Sequence, residues 1–283
     1  MVGWQSSGQD GSSNGIYAQR YAADGAAQGG EFRVNSTVTG DQSIPAITAL
    51  AGGGFVVSWQ SYNQDAANTW GIYAQRYAAD GTAQGGEFRI NTILADDQRY
   101  PAITALTDGG FVVSWNSSGK DGSGFNDFSG IYAQRYDANG TPVSPGEFRV
   151  NTTVASEQSF PAITTLIDGG FVVSWQSYNQ DAANTWGIYA QRYASDGTKL
   201  GSEFRVNTAV ANHQEDPSIT ALADGGFIVS WRSWYPYKDN GIYARRFTAD
   251  GTAQGDEFLI STTVTDYYHA HPSITALNDG GFI

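Results

Sequence analysis

The chain has no cysteine among its 283 residues, which excludes both a disulfide framework and a thiolate metal site. Positive charge is scarce. Fifteen Lys and Arg stand against 28 Asp and Glu, a formal net charge of −13 with a pI near 4.4. Such a surface repels phosphate backbones and anionic lipid, so neither nucleic acid nor membrane insertion is expected. No apolar run approaches the roughly 20 residues that span a bilayer. The opening MVGWQSSGQD lacks the basic start and apolar stretch of a signal peptide, so an export signal would lie outside this chain.

What is present is repetition. Aromatics make up 13% of the residues, and 35 glycines accompany eight prolines, a mix that suits many short strands joined by tight turns. One phrase recurs five times: a proline, ITAL or similar, a D-G-G-type turn, FVVSW, a variable loop, GIYAQRY, then EFRVNT. It is marked by Pro45, Pro101, Pro161, Pro217 and Pro272, and by Trp4, Trp59, Trp115, Trp175 and Trp231. A fixed period of this length signals a repeat architecture.

Each unit reads as four strands. In one copy these are a (Ala46 to Leu50), b (Phe55 to Gln60), c (Gly71 to Tyr77) and d (Glu87 to Asn91). All are rich in β-branched and aromatic residues and are bounded by Gly, Asp or Asn. Strands a and b are apolar on both faces, as expected where neighbours cover a sheet on both sides. The proline would open strand a, where no ladder donor is needed. The paired Arg and Glu of strands c and d, such as Arg20 with Glu31 and Arg76 with Glu87, suit cross-strand pairs within one hairpin.

The two ends, joined without Met1, read G-F-I-V-G-W, a copy of the b phrase. A ring explains this better than a solenoid, whose terminal repeats carry polar caps. The expected fold is an all-β, five-bladed β-propeller with four antiparallel strands per blade. It would be a monomeric ring closed by pairing the C-terminal strand a with the N-terminal strands b, c and d. The chain would form one domain, with repeats at about 45–100, 101–160, 161–216, 217–271, and 272–283 plus 1–44.

The order Pro, short strand, D-G turn, W-x-S, G-x-I-Y-A, D-G-T and E-F-R-x-N-T resembles the PD40-type blades of TolB-like propellers over the whole chain. The phrases GIYAQRYAADGT and EFRVNT also resemble tandem repeats of large bacterial calcium-binding exoproteins of the RTX kind. That resemblance implies an extracellular, secreted protein. The calcium nonapeptide G-G-x-G-x-D is absent, so no calcium site is carried over and no cofactor is expected.

Variation concentrates in the b–c and d–a loops, which share one face in this strand order. Binding usually resides in variable loops on a constant scaffold. The b–c loops hold Tyr62, Asp65 and Trp70; Asp121 and Phe125; Tyr178, Asp181 and Trp186; and Trp234 with Tyr235. An aromatic ring beside Asp, Asn and Gln suits a sugar, by stacking and by meeting hydroxyls. The competing reading is that the rings staple long loops to the blade edge. All three histidines, His213, His269 and His271, fall in d–a loops near Asp216, and such a cluster could hold a transition metal.

Residues 53–78 are identical to residues 169–194, which argues that much of the surface has not specialised. The resulting expectation is a non-enzymatic secreted adhesion module, lectin-like and multivalent for extracellular or cell-surface polysaccharide. The second reading is a structural spacer or protein-interaction propeller. The third is a polysaccharide-active enzyme, which would depend on Asp216 or Glu157.

Overall fold

The computed structural model describes residues 1–119, 129–144, 146–235, 238–261 and 271–283, with only the backbone for Tyr235, Lys238 and Asp239. The described residues form strands and turns without a helix, so none crosses a membrane as a helix. They fall in two compact units: residues 1–119 with 132–148, and the described residues of 120–131 with 149–283.

Five antiparallel sheets follow one another along the chain. The first has three strands, β1 (Val2–Ser7), β2 (Asn14–Tyr21) and β3 (Ala27–Arg33). The second runs β4 (Gln42–Ala49), β5 (Phe55–Tyr62), β6 (Trp70–Tyr77), β7 (Phe88–Arg89). The third is β8 (Gln98–Ala105), β9 (Phe111–Ser117), β10 (Gly130–Tyr136) and β11 (Phe148–Arg149). In the second unit, β12 (Gln158–Thr165), β13 (Phe171–Tyr178), β14 (Trp186–Tyr193) and β15 (Lys199–Arg205) form one sheet. The other is β16 (His213–Ala221), β17 (Phe227–Tyr235), β18 (Lys238–Phe247) and β19 (Phe258–Leu259). This is the strand order and sheet count of five propeller blades.

The repeated phrase explains the core. Trp59, Trp115, Trp175 and Trp231 are fully buried, together with the apolar residues of the b strands on both faces. In the second and fourth sheets the first residue of strand b stands opposite the last of c, and their rings stack: Phe55 on Tyr77 at 4.8 Å and Phe171 on Tyr193 at 4.8 Å. In the second unit, Ile188, Ala190 and Val206 of one sheet pack with Phe227, Val229 and Trp231 of the next. The Asn of each EFRVN phrase caps strand c, with Asn91 Oδ1 accepting from Ile72 N and Asn207 Oδ1 from Ile188 N, both at 2.7 Å.

Of the Arg and Glu residues expected to pair within one hairpin, Arg20, Arg192, Glu87 and Glu203 instead tie neighbouring sheets, whereas Arg135 and Arg246 pair with Asp108 and Asp224 of their own sheets. Arg20 donates to the carbonyls of Ala79 and Asp80, and Arg192 to that of Asp250 at 2.8 Å. The Glu87 carboxylate accepts from Ser36 N at 2.6 Å and Thr37 Oγ1 at 2.9 Å, and Glu203 accepts from Thr152 N at 2.7 Å. Charged acceptors suit backbone N–H groups that have no ladder partner.

The inner strands begin earlier than their prolines suggest. Strand β4 starts at Gln42 and β16 at His213, because each passes its proline through a bulge. In all four complete sheets two residues, the proline and the one before it, stand opposite a single residue, the invariant tryptophan. The pre-proline residue has positive φ every time: Ile44 (52°), Tyr100 (56°), Phe160 (53°), Asp216 (55°), and also His271 (52°). For side chains of this bulk the left-handed region costs on the order of 1–3 kcal/mol. A bulge re-aims a side chain, and the four bulged positions Ile44, Tyr100, Phe160 and Asp216 share it.

Candidate functional site

The N–H of the strained pre-proline residue donates to a glutamine of the preceding b strand at Ile44, Tyr100 and Asp216. In the first unit Gln60 donates from Nε2 to Ser43 Oγ (3.1 Å) and accepts on Oε1 from Tyr100 N (3.0 Å). In the second unit Gln176 donates to Ser159 Oγ (3.3 Å) and accepts from Asp216 N (2.9 Å). Both glutamines are buried. The scaffold is therefore the same, and the side chain it presents is a tyrosine in one case and a carboxylate in the other.

Around Asp216 the second unit gathers charge. Its side chain is 11% exposed, with Oδ2 3.9 Å from Arg232 Nε and 3.5 Å from His271 Nδ1. Arg232 lies opposite Glu215 in the β16–β17 ladder and donates Nη2 to its Oε2. Trp234 Nε1 donates to the same oxygen at 2.7 Å. A buried guanidinium needs such a partner, since an uncompensated charge away from water is costly. The Arg232 guanidinium also lies 5.4 Å from the Trp234 ring, which His213 covers on stacking at 4.8 Å.

Glu157 stands just before β12, on the sheet next to β16 in the same unit. Its outer edge meets solvent. Atoms packed around the carboxyl nevertheless push its pKa up by desolvation, and a hydrogen bond with Ser159 pulls the other way. Ser159 in turn accepts from Gln176, whose Oε1 holds Asp216 N. A continuous polar chain thus links the two carboxyl-bearing residues.

The loop residues singled out by sequence are placed differently from that expectation. Asp65 and Asp181 are not on the surface: each side chain is 1% exposed. Asp65 accepts from the Tyr73 hydroxyl and from Asn91 Nδ2 at 2.7 Å, while Asp181 accepts from Tyr189 at 2.5 Å and Asn207 at 2.7 Å. Burial and the adjacent carboxylate push both phenols above their ordinary range. Each aspartate folds back over a glycine, and a Cβ on Gly71 would sit 2.2 Å from Asp65 Oδ2. These two residues anchor their loops and are out of a ligand's reach.

Tyr62 and Trp70 are half-buried with ring centroids 5.2 Å apart, and Tyr178 and Trp186 repeat this at 5.0 Å. Arg99 covers the Trp70 ring at 5.0 Å. Asp121, Phe125 and His269 lie outside the described residues, as does the side chain of Tyr235. Of the histidines proposed with Asp216, His271 is beside it, whereas His213 faces Glu215 at 3.8 Å. Among the described residues no three His, Asp or Glu side chains are grouped to hold a metal ion.

The feature that loop reading missed is the pre-proline position. The residues before the five prolines are Ile44, Tyr100, Phe160, Asp216 and His271. They are five different side chains inside an otherwise constant phrase, and that contrast was visible in the sequence.

No protein-family model matches the chain, and no curated protein matches it. Solved structures do. The chain is similar to a protein of unknown function from Dyadobacter fermentans, with a TM-score of 0.59 at 12% identity over 84% of this chain and 72% of that one. It is similar to an α-L-arabinofuranosidase from Fusarium graminearum in complex with an iminosugar inhibitor, at TM-score 0.55 and 14% identity, covering 85% of this chain and 68% of that one. A thermostable family-43 glycoside hydrolase gives a TM-score of 0.51 at 12% identity over 84% and 80%. These likenesses establish the fold.

They also overturn two expectations, that the chain is a non-enzymatic binding module and that it is not an enzyme. The solved structures sharing this fold are mainly glycoside hydrolases. The physical reason for the error is specific. Identity between residues 53–78 and 169–194 covers the b and c strands and their loop, while the pre-proline positions, which carry five different residues, lie outside it.

Proposed function

We propose that the chain is a polysaccharide-active enzyme that hydrolyses glycosidic bonds, with Glu157 and Asp216 as its pair of carboxyl groups. Glycoside hydrolysis runs on two carboxyl residues, one of which donates a proton to the leaving oxygen and is helped by a raised pKa. Glu157, an exposed residue, has its pKa pushed up by the desolvating atoms packed around its carboxyl, against a hydrogen bond with Ser159. Asp216 supplies the second carboxyl. The observation that carries the reading is Asp216 itself, a carboxylate at a strained, re-aimed bulge position beside Arg232 and His271.

The test is hydrolysis of a panel of neutral polysaccharides and aryl glycosides by the unmodified chain, Asp216→Asn and Glu157→Gln. Each substitution is expected to reduce turnover by ~10²–10⁴-fold with an unchanged far-UV spectrum. An unmodified chain without glycosidase activity, or activity that survives both substitutions, rejects the reading.

The five sheets are in this proposal blades of a closed ring, in which residues 272–283 supply the inner strand that the β1–β3 sheet lacks. In support, residues 276 and 282 form an antiparallel bridge of their own, and Val2 is 54% exposed where its equivalents Val57, Val113, Val173 and Val229 are fully buried. Deleting residues 272–283 should lower the melting temperature, and an unaltered melting curve rules the closure out.

A further inference from the structure

Asp216 N–H has no place in the β16–β17 ladder, because the register jumps from Glu215 to Ser218. A buried N–H left without an acceptor is costly, and here the acceptor is Gln176 Oε1 at 2.9 Å. The same amide is fixed at its other end by Ser159 Oγ. It is buried at 4% exposure and cannot trade this bond for water. Gln176 thus supplies the acceptor for Asp216 N–H while the Asp216 backbone is in the left-handed conformation (φ 55°). That conformation decides where the Asp216 carboxylate lies relative to Arg232 and His271.

We propose that Gln176 is a positioning residue for Asp216, and that it makes a clamp used structurally elsewhere in the chain serve the reactive carboxylate. The proposal rests on the glycosidase reading above. The chain carries its own control. Gln60 lies in the identical 26-residue segment, residues 53–78 against 169–194. It makes the same two hydrogen bonds, but the residue it holds is Tyr100. A substitution at either glutamine removes the same two hydrogen bonds, one to a serine hydroxyl and one from a pre-proline N–H. Only the one at Gln176 disturbs a carboxylate.

The experiment compares Gln176→Leu with Gln60→Leu in the full chain. Both should lower the melting temperature by similar amounts. Gln176→Leu should reduce kcat by about 10–100-fold with KM changed less than about threefold, since a misplacement near 1 Å costs that order in rate. Gln60→Leu should leave kcat within about twofold of the unmodified chain. Gln176→Glu, which keeps the acceptor for Asp216 N–H, should recover part of the lost kcat. Equal kcat losses in the two leucine variants, or none in Gln176→Leu, overturn the proposal.

If the unmodified chain cleaves no glycoside, the functional reading fails by itself and the positioning is still decided. The Asp216 carboxyl can be followed by 13C NMR at one fixed pH. Its chemical shift should change in Gln176→Leu and hold in Gln60→Leu, and a chemical shift unchanged in both overturns the proposal.

Discussion

Ser159 serves two partners through one hydroxyl. It hydrogen-bonds with Glu157, which favours the charged carboxylate, against the desolvation that pushes the pKa up. It also accepts from Gln176 Nε2. If Glu157 is the proton donor, the rate falls as pH rises through its raised pKa, because the acid is then empty. Removing the Ser159 hydroxyl leaves desolvation unopposed, so the pKa rises further. Ser159→Ala should therefore shift the alkaline limb of the kcat/KM profile to higher pH. It should also cost about 1–3 kcal/mol of stability, because Gln176 Nε2 is left buried without its partner. A limb that stays in place or moves down assigns the proton to another group. None of this was readable from the sequence, where Glu157 is one acidic residue of a polar loop. Its pKa depends on packing that the repeat pattern does not encode.

At the scale of strands and turns the sequence was more informative, because burial and turn chemistry repeat with the phrase. Strands b and c lie where the β-branched runs and glycines place them. The inner strand was placed too late because a proline reads as a strand opening, and a bulge that carries the ladder past it leaves no mark in composition. The Arg and Glu pairings were misassigned for a different reason. When every repeat carries both residues, partners within a hairpin and partners in the next sheet cannot be told apart by spacing. The corrected pairing has a stability consequence. Burial raises the Glu87 pKa, but hydrogen bonds from Ser36, Gln64 and Thr37 outweigh it and leave the carboxyl below its ordinary value. A depressed folded-state pKa means stabilisation that is complete above the unfolded value and is lost as pH falls through the folded one. Glu87→Gln should cost about 1–2 kcal/mol in urea unfolding at neutral pH, from hydrogen bonds to a charged acceptor. That cost should shrink on acidification. A cost that persists unchanged below the carboxylate range would show that the charge does not contribute.

For the molecule as a whole the dominant fact is its charge, −13 over 283 residues. It bears on which polysaccharide the proposed site can approach. A like-charged polymer is repelled over a distance set by salt, about 30 Å at 0.01 M ionic strength and about 8 Å at 0.15 M. A neutral polymer feels no such barrier, and Arg232 offers an acidic sugar no compensation because Glu215 already holds it. Charge alone therefore selects neutral chains over polyuronates, mainly through the rate of encounter. At low ionic strength the proposed site should hydrolyse a neutral polysaccharide faster than a polyuronate of similar length. Raising salt should narrow the gap from the polyuronate side only. A polyuronate cleaved faster at low salt, with a rate that salt suppresses, would place a strong local positive field at the site that the overall charge conceals, and the substrate assignment would then reverse.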